Sequence, residues 1–204
     1  MIRPCPRPHG TFLDRYAAAG APADCYATEV PGTVSLQQFV EAFYTGRVFK
    51  LERLILRWFV GRPSTDAEVR QLAAGDRTDF AAWRVEKRAD DQLLMCDYVG
   101  RTRSWFMVVP IATDALGAVG ATGARGAAGA TDAPAADGSA TGASTRLYFG
   151  SAVVPVMDRR TGMARMSWPY HVLLGFHRLY SRVLLRDAAA NLSRLSRQSR
   201  QPGQ

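Results

Sequence analysis

The stretch TRLYFGSAVVP (residues 145–155) places Gly150 and Ser151 in the middle of an otherwise apolar run. A serine nucleophile needs a base within hydrogen-bond reach. The hydrolase elbow is Gly-x-Ser-x-Gly between a strand and a helix. Here Gly150-Ser151-Ala152 lies inside one continuous strand. A glycine in that position marks a bulge, a bend or the close approach of another group. The expectation is a bend, with Ser151 on the wall of a ligand space rather than in a catalytic triad.

The remaining reactive side chains are scattered. His9 sits in a proline-rich N-terminus, and His171 and His177 lie six apart in one helical stretch. Six residues place two side chains on different helix faces, which argues against a shared metal. His177 follows Phe176 and is a candidate for the edge of a cavity, as a hydrogen-bonded residue. Asp97 stands in LLMCDYV. By alternation it shares a face with Leu93, Met95 and Val99. If that face is inward, Asp97 is a possible acid or base. If it is outward, Asp97 is a solvated residue or a partner for Arg101 or Arg103, and this second reading is preferred. Cys5, Cys25 and Cys96 are widely spaced and form no CxxC pair. Reduced thiols are expected, with no disulfide framework, no metal and no cofactor.

Composition narrows the classes. The chain has 204 residues, 47% of them hydrophobic, which suits one domain with a real core. No apolar run approaches the roughly 20 residues needed to cross a bilayer. The N-terminus lacks the apolar core of a signal peptide, so a cytoplasmic address is expected. Lysine and arginine total 26 against 18 acidic residues, a net charge of +8, and only Lys50 and Lys87 are lysines. The arginines are dispersed and no nucleic-acid motif accompanies them, so a solvated surface is preferred to a nucleic-acid site.

The elements follow from periodicity. Residues 1–23 are expected to be loose, apart from a turn or two of helix in TFLDRYAAA. DCYATEV (24–30) reads as a strand and PGT as a turn. Ser35 and Gln38 fit a capping box ahead of Leu36, Phe39, Val40 and Phe43, which share one helical face. Residues 49–63 read as a second helix. Ser64 or Thr65 caps a third, with Glu68 in its first turn and Gly75 past its end. From Phe80 the period changes to two, and three antiparallel strands are expected through residue 111, with Trp83 and Val85 on one face. Residues 112–144 are low-complexity Ala/Gly, read as a disordered hairpin loop between two pairing strands. VMDRRTGMARMSW suggests a turn and a short strand. Pro169 then opens a long amphipathic helix with Val172, Phe176, Leu179, Tyr180 and Val183 on one face, extended by Leu184. Residues 193–204 are expected to fray.

The order of these elements, and the segments FYTGRVFKLERLIL, FAAWRVEKR, GRTRSWF, LYFGSAVVP and LLGFHRLYSRVLL, resemble the START and polyketide-cyclase-like superfamily. The resemblance covers about residues 24–192 outside the insert. It implies an α+β helix-grip fold, a curved antiparallel sheet of five to seven strands gripping the C-terminal helix. Five or six strands are legible here where the full fold has about seven. Members hold a hydrophobic ligand between sheet and helix. The expected function is therefore binding of a small apolar or amphipathic molecule, with Tyr98, Trp105, Tyr148, Ser151 and His177 as lining. One alternative is a basic surface module, using Arg178, Arg182, Arg186, Arg194, Arg197 and Arg200 on an anionic membrane or an acidic protein. Another is a cyclase- or hydratase-like enzyme using Asp97 or His177.

Overall fold

The structure is a computed structural model and describes residues 1–50, 64–111, 143–154 and 169–198, with side chains of the last helix from 180 to 194. Residues 51–63 of the expected second helix, residues 112–142 of the insert and the expected turn and strand at 156–168 lie outside the described residues. So do the side chains of His171 and His177.

The chain is α+β. Among the described residues, seven strands form one open antiparallel sheet in the order β1-β2-β7-β6-β5-β4-β3. They are β1 (Arg3–Pro4), β2 (Ala23–Pro31), β3 (Asp79–Phe80), β4 (Trp83–Arg88), β5 (Gln92–Asp97), β6 (Thr102–Ile111) and β7 (Ser144–Val153). The helices are α1 (Asp14–Ala18), α2 (Leu36–Tyr44), α3 (Asp66–Ala74) and α4 (Pro169–Gln198). The strands flanking the insert pair with each other throughout, from Thr102 opposite Val153 to Ile111 opposite Ser144. α4 extends to Gln198.

Local chemistry sets the helix ends. The Ser35 hydroxyl accepts the Gln38 N–H and the Gln38 side chain accepts the Ser35 N–H, so two otherwise unpaired donors are satisfied. Thr65 and Glu68 do the same for α3. Gly75 closes α3 at a φ of +97°, a region costly for any residue with a Cβ. Arg88 then donates to the carbonyl of Leu72 at 2.8 Å and also to that of Ala73, at the negative end of the helix dipole.

One face of the sheet carries the larger core. Leu93, Met95, Phe106, Leu147 and Phe149 from the strands meet Phe39, Phe43, Val69 and Leu72 from α2 and α3. Phe43 packs edge-on against Phe106, ring centroids 4.8 Å apart, and tilted on Phe149 at the same separation. Leu184, Leu185, Ala188 and Leu192 bring α4 into this core. Val183, assigned to the buried stripe from periodicity, is instead 40% exposed. The true stripe is turned away from it by the fixed angle between successive helical residues. α4 is also tied by polar contacts. Asp187 accepts the Val48 N–H at 2.9 Å, and Asn191 donates to the Ala42 carbonyl at 3.0 Å.

The opposite face is covered by the N-terminal segment, and the expectation that residues 1–23 are loose is corrected here. Leu13 is fully buried among Cys25, Leu94, Trp105, Tyr148 and Ala152. Asp14, the first residue of α1, accepts the Thr11 N–H and hydroxyl on its carboxylate, at 2.9 and 2.7 Å. The Trp105 Nε1–H donates to Gln92 Oε1 at 2.9 Å, and the Phe12 N–H donates to the same oxygen at 3.2 Å. A register shift in β4 between Val85 and Lys87 marks a bulge at Glu86. It directs both Glu86, which binds the Tyr16 hydroxyl, and Lys87, which sits over the Phe12 ring, to this outer face.

Candidate functional site

A cavity of about 190 Å³ lies between the sheet and α4. Its apolar walls are Phe43 and Tyr44 of α2, Phe49, Trp83 of β4, Phe149 of β7 and Leu184 of α4. Its polar groups come from Asp97 at the end of β5, Thr102 and Ser104 of β6, and Ser181 of α4, with Tyr180 beside it. The strands explain this division. On the inward-facing positions of β6, Thr102 and Ser104 give way to Phe106 and Val108, so one end of the inner face is polar and the rest aromatic.

Three polar features define the site. Asp97 is half-buried, and its Oδ1 accepts the Arg101 N–H at 2.7 Å, which fixes the carboxylate at the β5–β6 hairpin. Ser181 is 1% exposed, and its hydroxyl has no hydrogen-bond partner. A buried hydroxyl in that condition costs roughly 1–3 kcal/mol relative to a satisfied one. Asp24, Ser151 and Ser104 stand side by side across β2, β7 and β6. There the Ser151 hydroxyl and N–H both donate to Asp24 Oδ1, at 2.7 and 3.0 Å. The second oxygen, Oδ2 of Asp24, is buried without a hydrogen-bond partner.

The sequence-derived candidates fall on different sides of the sheet. Asp97 faces the cavity, in the inward alternative of its alternation, and its Oδ1 also bonds the Arg101 backbone. Ser151 is inward and 2% exposed, one strand from Ser104, but held by Asp24. Trp105 and Tyr148 are corrected: both lie on the outer face, packed against each other under the N-terminal segment. Their parity along β6 and β7 is opposite to that of Ser104 and Phe149, so no adjustment of α4 brings them to the cavity. Tyr98 is corrected too, since it stands 57% exposed on the β5–β6 hairpin. No bulge interrupts β7 at Gly150, because the strand keeps one register with β2 and with β6 through this position. A Cβ on Gly150 would meet the Asp24 carbonyl at 2.6 Å, Leu13 Cδ1 at 3.0 Å and Trp105 Cε3 at 3.1 Å. The glycine is there for close packing under the N-terminal segment, not to open a space.

Sequence reasoning missed Thr102, Ser104 and Ser181 as lining. The signal for the first two is the polar-to-apolar gradient along alternate residues of β6. Ser181 carries no signal, since a lone serine on a helix is ordinarily a surface residue.

Ser151 is held within the ladder by the Asp24 carboxylate, which accepts both its hydroxyl and its N–H. Among the described residues no group of three metal-ligating side chains converges, and no helix is long and apolar enough to cross a membrane. Of the arginines, Arg182 lies over the Tyr26 ring at 5.2 Å and Arg194 is 4.0 Å from Asp187, while Arg186 is exposed. Arg178, Arg197 and Arg200 have side chains outside the described residues. The chain matches no family model, no curated protein and no solved structure.

Proposed function

We propose that this protein binds a small amphipathic molecule in the cavity between the sheet and α4, in the manner of the helix-grip proteins it resembles. The observation that carries the reading is the pairing of an aromatic wall with an unpartnered, buried Ser181 hydroxyl and the fixed Asp97 carboxylate at one end. Small-molecule sites combine a mainly apolar lining with a few placed polar groups. A dry cavity of about 150 Å³ accepts a benzene ring, so a volume of about 190 Å³ sets the ligand at about one ring. Asp97 accepts hydrogen bonds, which favours a ligand carrying a hydroxyl or an amine.

Ligand-observed NMR with phenol, aniline and toluene tests this. Phenol and aniline are expected to bind more tightly than toluene, and Ser181→Phe, which fills the cavity, is expected to abolish binding of all three. Equal signals from the unaltered protein and the filled variant would reject the reading. Native mass spectrometry of freshly purified protein then gives the mass of any retained molecule.

A further inference from the structure

The N-terminal strand brings two thiols together on the outer face. Arg3 and Pro4 pair with Ala27 and Tyr26. The same register sets Cys5 opposite Cys25, whose carbonyl accepts the Cys5 N–H at 3.0 Å. Their Sγ atoms are 3.3 Å apart, and both are free thiols. A disulfide requires roughly 2 Å, so a small side-chain movement separates the two states. Cys25 is buried beside Leu13 and Trp105, while Cys5 packs on the same cluster and is half-exposed.

We propose that Cys5 and Cys25 form a reversible intramolecular disulfide, made by exchange with a small anionic disulfide of the glutathione type, which locks the N-terminal segment over the outer face of the sheet.

Access and charge both favour this chemistry. Cys5 opens onto a surface groove of about 580 Å³ whose lining includes Arg3, Arg7 and Arg146 against one carboxylate, Glu29. An anionic disulfide is attracted to such a groove. In the first step the Cys5 thiolate attacks one sulfur of the small disulfide. The Cys5–sulfur bond forms, the small S–S bond breaks and one small thiolate leaves. In the second step the Cys25 thiolate attacks Cys5 Sγ, the protein disulfide forms and the second small thiolate leaves. The two cysteines lose two protons and two electrons, and the small disulfide is reduced to two thiols. Burial, then the hydrogen bond with Cys5, then the nearby Asp24 carboxylate all push the Cys25 thiol well above its ordinary range. The second step therefore accelerates as pH rises. The bridge closes a loop around Phe12 and Leu13, the residues that cover the outer face.

The test uses the full chain, reduced and then equilibrated without oxygen in glutathione buffers of graded redox ratio. Remaining thiols are alkylated after unfolding and the peptides weighed. A Cys5–Cys25 crosslinked peptide with Cys96 alkylated is expected, and the oxidised protein is expected to unfold on the order of 5 °C higher. Cys25→Ser is expected to stop at a stable glutathione adduct on Cys5, and Cys5→Ala to form neither product. The proposal is overturned if all three thiols still alkylate in the most oxidising buffer, if the bridge includes Cys96, or if the unaltered protein accumulates only the adduct. The crosslink map of the unaltered protein decides the question even where a variant does not fold.

Discussion

The two faces of this sheet are buried by different means. The inner face is covered by α2, α3 and α4, whose apolar side chains interdigitate with the strands in one aromatic-rich core. The outer face is covered by a short segment with a single five-residue helix, and Leu13 packs there with Cys25, Leu94, Trp105, Tyr148 and Ala152. Helices cover their face by repeated contacts from capped, self-supporting elements. The N-terminal segment covers its face by one apolar plug, pinned by Gln92 and by the cluster of Tyr16, Glu86, Arg15 and Arg103. A local contact network of that size opens more easily than a helical core. The packed helices leave a cavity with a polar end; the plug leaves a pair of thiols at its rim.

Four changes break or sharpen this contrast. The largest effect is expected from Phe43→Ala on the inner face. It removes a ring packed against Phe39, Phe106 and Phe149 and is expected to cost about 3–5 kcal/mol. Denaturant unfolding measures this, with loss of the whole cooperative transition as the sign that the inner core is global.

Leu13→Ala is next, at about 2–4 kcal/mol, since Leu13 is fully buried. Here hydrogen exchange is expected to quicken first in residues 1–23, with Trp105 fluorescence shifting red while α2 stays protected. Uniform loss of protection across both faces would remove the distinction between plug and core.

Gly150→Ala tests the same contact from the strand side. The added Cβ meets backbone and two packed side chains, and about 1–3 kcal/mol of destabilisation is expected by thermal unfolding. A neutral result would show that the plug shifts to accept a methyl group.

The smallest effect concerns pH. The Thr11 side-chain hydrogen bond holds the Asp14 carboxyl below its ordinary range, helped by the Thr11 N–H and by Arg7. A depressed folded-state pKa gives a contribution present above the unfolded value, near 4, and lost as pH falls through the lower folded one. Acid is therefore expected to loosen residues 1–23, read by exchange at pH 5 and pH 3. Asp14→Asn is expected to remove that pH step while leaving the inner-face unfolding unchanged.

How much of this was legible depends on whether each signal is local. The capping box at Ser35–Gln38, a cap at Ser64 or Thr65 ahead of Glu68 and the stop at Gly75 follow from neighbouring residues, while the pairing across residues 112–144 was legible from the strand pattern on each side of the insert. The candidate lining was less legible, because Trp105 and Tyr148 were placed by residue type and not by parity. A clue was present in β5. Leu93 to Cys96 run apolar without a break, and the structure buries all four, as in a strand covered on both faces.

Sequence alone determined the helix caps, the strand alternation and the order of elements, because those depend on hydrogen bonds and side-chain periods within a few residues. Tertiary structure alone decided which face each strand turned to α4, that residues 1–23 seal the other, and that Ser181, Ser104 and Asp97 share one hollow. Those outcomes depend on contacts between distant residues, whose register no local pattern specifies.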